Sequence, residues 1–288
     1  MALDTSKKAL ALDGIVERLE KSGLSGDYLK NIIVDINWQL ERLDEHDNWG
    51  KRYLGNNGHL WKDDPSACGE FLLNELKEPS LILDLGCGYG RDSKALLEQG
   101  HYVLGVDKSK GAIIASKKEL SDYIDEKKAF VTNGDFAETS FIKDNFDAVL
   151  SHRMLHLPDP DDARAIIDNI ATALKPGGLL VLTARRHDDF NEDQMKWVNT
   201  NSSNDNGNTA VYKDRPQHKI NFYDEDRFRS VLSEKFTDLS FEQGEEIESV
   251  GNFDKNGKPV MSQFLRVTAR KKTEEEIQED ITQNTLEA

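Results

Sequence analysis

The apolar run Leu81-Ile82-Leu83-Asp84-Leu85 passes directly into Gly86-Cys87-Gly88-Tyr89-Gly90, and a helix-forming stretch begins at Arg91. Few folds accommodate such a junction. Glycines accept positive φ angles and let other groups approach the backbone closely, and a helix starting behind them aims its unpaired amides at whatever lies in front. The pattern predicts a buried strand, a ligand-facing loop and a helix N-terminus, the opening unit of an α/β fold.

Short apolar runs then alternate with helical stretches. Strands are expected at about 80–85, 102–106, 128–132, 146–150 and 178–184, with helices near 91–99, 110–120, 162–174 and 224–234. Such alternation implies a parallel sheet with helices on both faces. Two further runs, at about 237–243 and 260–269 with a turn at Asn256-Gly257, predict an antiparallel C-terminal hairpin at one sheet edge. The expected fold class is α/β, a Rossmann-like seven-stranded, mostly parallel sheet spanning 46–272.

Flanking segments differ in composition. In the N-terminal extension, residues 1–45, Leu29, Ile32, Ile33, Ile36, Leu40 and Leu43 recur at helical spacing, and a second helix is expected over about Thr5 to Glu20. These helices would form a hairpin on the main domain or a homodimer contact. Residues 199–210 are polar and of low complexity, which predicts a mobile surface loop. The acidic tail, 273–288, is expected to fray, with room for a helix over 274–281.

Composition narrows the partners. With 53 acidic against 37 basic side chains the formal net charge is -16, which disfavours a nucleic-acid acceptor. No apolar run spans a bilayer and no basic-then-apolar leader opens the chain, so no membrane partner and a cytoplasmic location are expected. The two cysteines, Cys68 and Cys87, supply neither a disulfide framework nor a zinc site, and no metal is expected.

Two more acids end strands. Asp107 closes Val103-Leu104-Gly105-Val106 about twenty residues after the first glycine, the separation expected of a carboxylate that accepts ribose hydroxyls. Asp135 follows the third strand in Asn133-Gly134-Asp135-Phe136. Taken singly, each is also a plausible helix cap or turn residue. A dinucleotide loop requires a small residue where Arg91 stands.

Asp84-x-Gly86-x-Gly88-x-Gly90 resembles the signature of the class I S-adenosylmethionine-dependent methyltransferases, and Leu174-Lys175-Pro176-Gly177-Gly178 is similar to another phrase of that family, expected as a turn. The resemblance implies S-adenosyl-L-methionine as cofactor. It places Asp84, Gly86, Gly88, Gly90, Asp107 and Lys108 on the cofactor, Asp135 on the adenine amino group, Phe136 against the ring and Ser151 at the floor of the site. Asn48-Trp49-Gly50-Lys51-Arg52-Tyr53, Gly88 to Ser93, and the ending Asp254 to Lys258 and Ala269 to Lys272 look like the tellurite-resistance methyltransferases. That likeness implies a small-molecule acceptor, a thiol or chalcogen oxyanion. Those enzymes hold their oxyanion with a His-Arg pair, and this sequence has Ile247-Glu248-Ser249 in that region.

Methyl transfer is an in-line displacement in which positioning and exclusion of water carry most of the catalysis. Trp49, Arg52, Tyr53 and Trp61 are candidates for a lid, of which Trp49 and Arg52 are assigned to the cofactor. His152 is the candidate general base, and His156 is expected to pack under the loop. Arg153 and Arg185 have the charge to attract an anionic acceptor, although a salt bridge to one of the many acids is the expected fate of each. An NAD-dependent oxidoreductase and a non-catalytic cofactor-binding protein are the alternatives.

Overall fold

The computed structural model describes Trp49, Tyr53 and residues 63–139, 141–205, 207–214, 216–247 and 256–287. The expected N-terminal helices, Arg52, Trp61 and the start of the hairpin turn lie outside the described residues.

The chain runs α1 (Ala67–Glu75), β1 (Leu81–Leu85), α2 (Arg91–Glu98), β2 (Tyr102–Asp107), α3 (Lys110–Glu119), α4 (Ser121–Asp125), β3 (Ala129–Asn133), β4 (Phe146–Ser151), α5 (Pro160–Ala173) and β5 (Leu174–Arg185). Three short strands follow, β6 (Met195–Trp197), β7 (Thr209–Tyr212) and β8 (Lys219–Asn221), then α6 (Glu225–Leu232), β9 (Phe236–Ile247), β10 (Met261–Lys271) and α7 (Glu274–Glu287). Strands pair in the order β3-β2-β1-β4-β5-β10-β9, with the first five parallel and β10 antiparallel to both neighbours. The expected seven-stranded sheet and terminal hairpin are both present.

Helices cover both faces because every residue of β1 is buried, and a strand buried on two sides needs an apolar layer on each. Cys68 and Leu72 of α1, Leu96 and Leu97 of α2 and Ile113 of α3 form one layer. Ile166, Ile167 and Ile170 of α5 with Phe228 and Leu232 of α6 form the other. The chain winds outward from β1 to β3 and returns to β4 beside β1. That reversal opens a crevice at the carboxyl ends of the strands, where ligands bind in open α/β sheets.

Three sequence expectations need correction, and one helix was not anticipated. The Leu174–Gly178 phrase is part of β5: Phe146 pairs with Leu174 and Ala148 with Leu179, so the intervening residues loop out as a bulge, and the turn is built into the strand. The 199–210 segment is held by polar contacts, since Asp205, only 3% exposed, accepts hydrogen bonds from Thr200 and Thr209. Its last residues enter β7, part of a separate β6-β7-β8 sheet that periodicity did not reveal. The tail forms α7 through Glu287, and its start is a reciprocal cap: Thr273 N–H donates to Glu276, and Glu276 N–H donates to the Thr273 hydroxyl. Helix α1 was not anticipated; Ser66 caps it by accepting from Cys68 and Gly69 N–H.

Candidate active site

Gly86, Gly88 and Gly90 adopt φ angles of 78°, 55° and 89°, so the alternating glycines supply three left-handed residues between β1 and α2. Gly88 is crowded as well. A Cβ there would lie 2.7 Å from the Tyr53 hydroxyl. Tyr53 is buried against Tyr89 and Ala112, with Trp49 packed on the cluster and its ring 6.4 Å from that of Tyr53. Two of the lid candidates thus stand over the glycine loop.

Asp107 lies at the carboxyl end of β2 and faces this loop. One carboxylate oxygen accepts from Gly88 N–H at 2.9 Å and the other from Ser109 N–H at 2.8 Å. The side chain therefore fixes the loop and the entry to α3 with a single negative charge. Lys108 is exposed and pairs with Asp135 at 2.6 Å, which bridges the β2 and β3 ends. Phe136 is 6% exposed within the larger apolar layer, and its carbonyl accepts from Asn169. Ser151 is buried and donates to the Leu85 carbonyl, tying β4 to β1 directly under the loop.

Asp84 occupies the same rim but turns inward. It is 2% exposed and accepts from the Ser93 hydroxyl at 2.5 Å. Burial, reinforced by the nearby Asp92 carboxylate, pushes its carboxyl up to about 8. An unfolded aspartate titrates near about 4. Between those limits the folded chain binds the extra proton, so its stability falls as pH rises towards 8. We expect the cofactor-free protein to lose thermal stability from pH 5 to pH 8 and Asp84→Asn to flatten that decline. Equal slopes for the two proteins would exclude a raised Asp84.

The rim carries a group that sequence periodicity did not single out. Glu246, near the end of β9, reaches back across the sheet. Arg91, the first residue of α2, donates to it at 2.8 Å, His152 Nε2 lies 2.7 Å away and Arg153 3.8 Å away. Burial alone would raise the Glu246 carboxyl, but the hydrogen bond from His152 and the charges of Arg91 and Arg153 hold it well below the usual carboxylate range. An ionised Glu246 only accepts, so Nε2 of His152 carries the proton. The other nitrogen, Nδ1, then accepts from the Thr183 hydroxyl at 3.0 Å, and that oxygen accepts in turn from Arg153 N–H at 2.9 Å. Burial lowers the His152 pKa despite Glu246, so the imidazole is a neutral link with both nitrogens engaged. To act as a base on an acceptor, His152 must first exchange one of these partners.

Gly244 makes this link possible. A Cβ on it would come within 2.4 Å of the Phe264 ring, and Phe264 in turn packs edge-on against His152 at 6.1 Å.

Residues 82–178 match the methyltransferase domain family. Glycine N-methyltransferase of Mus musculus is 34% identical over 121 residues, 37% of this chain and 41% of that enzyme. Carboxy-S-adenosyl-L-methionine synthase of Vibrio cholerae is 27% identical over 124 residues, 42% of this chain and 50% of that protein. The matches thus span half or less of these relatives' length. Burkholderia thailandensis 1,6-didemethyltoxoflavin-N1-methyltransferase has a similar structure, with a TM-score of 0.52 and 17% identity over 95% of this chain and 92% of that one. Residues 82–178 thus match a methyltransferase domain in sequence, and the structural likeness shows that the chain shares the fold of the toxoflavin enzyme.

Proposed function

We propose that the protein transfers a methyl group from S-adenosyl-L-methionine to a small-molecule acceptor. The observation that carries this is the Asp107 carboxylate gripping Gly88 N–H beside three left-handed glycines, an arrangement suited to ribose hydroxyls and a nearby carboxylate. Arg91 in the third small-residue position favours it over dinucleotide binding. The cofactor would supply an electrophilic methyl on a positively charged sulfur.

The chain's own residues hold and enclose. Asp107 and the glycine loop bind, Asp135 and Lys108 flank the far end, and Phe136 stays part of the wall. Trp49 and Tyr53 exclude water from above, which favours reactions that consume charge. Ser151 keeps β4 seated under the loop. A thiolate or chalcogen oxyanion needs no base, so the engaged His152 is compatible with such acceptors. A cytoplasmic, nucleic-acid-independent enzyme fits the acidic surface, and no helix among the described residues is long and apolar enough to cross a membrane.

The test is incubation with methyl-labelled S-adenosylmethionine and a low-molecular-mass cell filtrate. Label in a small molecule supports the proposal; its absence despite cofactor binding would favour a non-catalytic binder. Gly88→Ala should weaken cofactor binding roughly tenfold, because a left-handed alanine costs about 1–2 kcal/mol and its methyl displaces the Tyr53 hydroxyl. Calorimetry checks this, and unchanged affinity would argue against a close-packed loop.

A further inference from the structure

The rim continues beyond Glu246 to two polar groups the mechanism above does not use. Paired residues on antiparallel strands share a face, so Arg185 of β5 stands with its partner Phe264 of β10, and Thr183 lies two residues back on the same face. Arg185 ends β5 and is 8% exposed. Its Nε donates to Asp189, one Nη donates to the Tyr212 hydroxyl at 2.7 Å, and the guanidinium lies 5.6 Å from the Phe222 ring centre. Among the described residues no hydrogen bond engages its second Nη. Nor is Asp189 devoted to Arg185, since it also accepts from Gln263 N–H at 3.0 Å and the Ser262 hydroxyl at 3.1 Å.

His156 is the second group. It follows β4, is 5% exposed, and its Nδ1 is wholly buried with no partner among the described residues. Asn221 N–H donates to its carbonyl at 2.8 Å, which pins this loop to the β6-β7-β8 sheet. Burial, and then the charges of Arg153 and Arg185, hold its imidazole well below the usual range, which leaves it neutral and close to both cations. A buried polar atom without a hydrogen bond costs about 1–3 kcal/mol, and such atoms in a native fold call for an explanation. Here a buried imidazole nitrogen lacks a partner just past the carboxyl end of β4, and at the end of β5 the Arg185 guanidinium keeps one Nη without a hydrogen bond to a described residue.

We propose that Arg185 and His156 anchor a carboxylate of the methyl acceptor, so that the substrates are small carboxylate-bearing molecules; this rests on the methyltransferase reading. A carboxylate only accepts, and its two oxygens match one donor from Arg185 and one from His156 with the proton on Nδ1. The Asp189 carboxylate already paired with Arg185 disfavours a dianion such as phosphate. Tyr212 and Phe222 hold the guanidinium in place, which gives the small sheet a role in substrate recognition.

The test uses the full chain with labelled histidines, observed by NMR with and without S-adenosylhomocysteine. Acetate, glycolate and benzoate are titrated against acetamide, glycolamide, benzamide and inorganic phosphate. The carboxylates should shift the His156 resonances, with the amides silent and phosphate at least tenfold weaker. Arg185→Met should weaken the carboxylate response at least tenfold, and Arg185→Lys should restore part of it. If the methionine variant does not fold, the wild-type titrations alone decide. Carboxylates that leave His156 unmoved, or amides or phosphate that match them, overturn the anchor even if S-adenosylhomocysteine binds. A carboxylate response without S-adenosylhomocysteine binding keeps the anion site and overturns the methyltransferase reading.

Discussion

Asp107→Ala should reduce the affinity for S-adenosylmethionine by a hundredfold or more while leaving the fold intact. Hydrogen bonds to a charged group contribute about 1.5–3 kcal/mol each, and the carboxylate is proposed to serve the ribose while it also sets the loop through Gly88 and Ser109. Losing about 3 kcal/mol corresponds to roughly a hundredfold in Kd. The two amides it releases lie at a partly exposed rim, where water replaces the carboxylate, so thermal stability should change little. Calorimetry and thermal unfolding on the same samples separate these effects. A variant that binds normally would remove Asp107 from the site.

Glu246→Ala should show the opposite balance. It leaves the Arg91 guanidinium and the His152 ring without their shared acceptor. Removing one member of a buried ion pair costs about 3–5 kcal/mol. The Glu246 side chain is 19% exposed, so some of that is screened, and about 2–3 kcal/mol is expected. At about 2–4 °C per kcal/mol for a chain of this size, Tm should fall by roughly 5–10 °C. Glu246→Gln keeps the shape and an acceptor oxygen, so it should lose less. Equal losses for Ala and Gln would mean that charge is what holds the hairpin to the glycine loop, and no loss in either would mean that the cluster is incidental.

The glycine loop and the strands carrying Asp84, Asp107 and Ser151 were legible because glycine spacing and uninterrupted apolar runs are local signals. The hairpin at one sheet edge followed from alternation in 237–243 and 260–269. Helix α1 left a weak trace: its buried face is built from Cys68, Gly69 and Leu72, and Gly69 is small because Asp92 packs where a Cβ would be, with Oδ1 2.5 Å from that position. Strands β6, β7 and β8 are three or four residues long, too short for a period to show, and Asp205 is buried by turn hydrogen bonds that composition does not encode. Glu246 was illegible for another reason. It sits in an acidic strand end that looks solvated, and Arg91, 155 positions earlier in the chain, becomes its partner only once the sheet closes. The sequence did mark His152, as a candidate base or as a histidine that simply hydrogen bonds nearby, and both of its ring nitrogens are hydrogen-bonded in the structure. Arg185 likewise finds the expected carboxylate, yet does so buried rather than at the surface.

Titration of the wild-type chain with S-adenosylhomocysteine in a calorimeter, followed by NADH under the same conditions, addresses the central claim most directly. One-site binding in the micromolar range for the first ligand and none for the second is the predicted result. Binding of NADH with no heat from S-adenosylhomocysteine would contradict it.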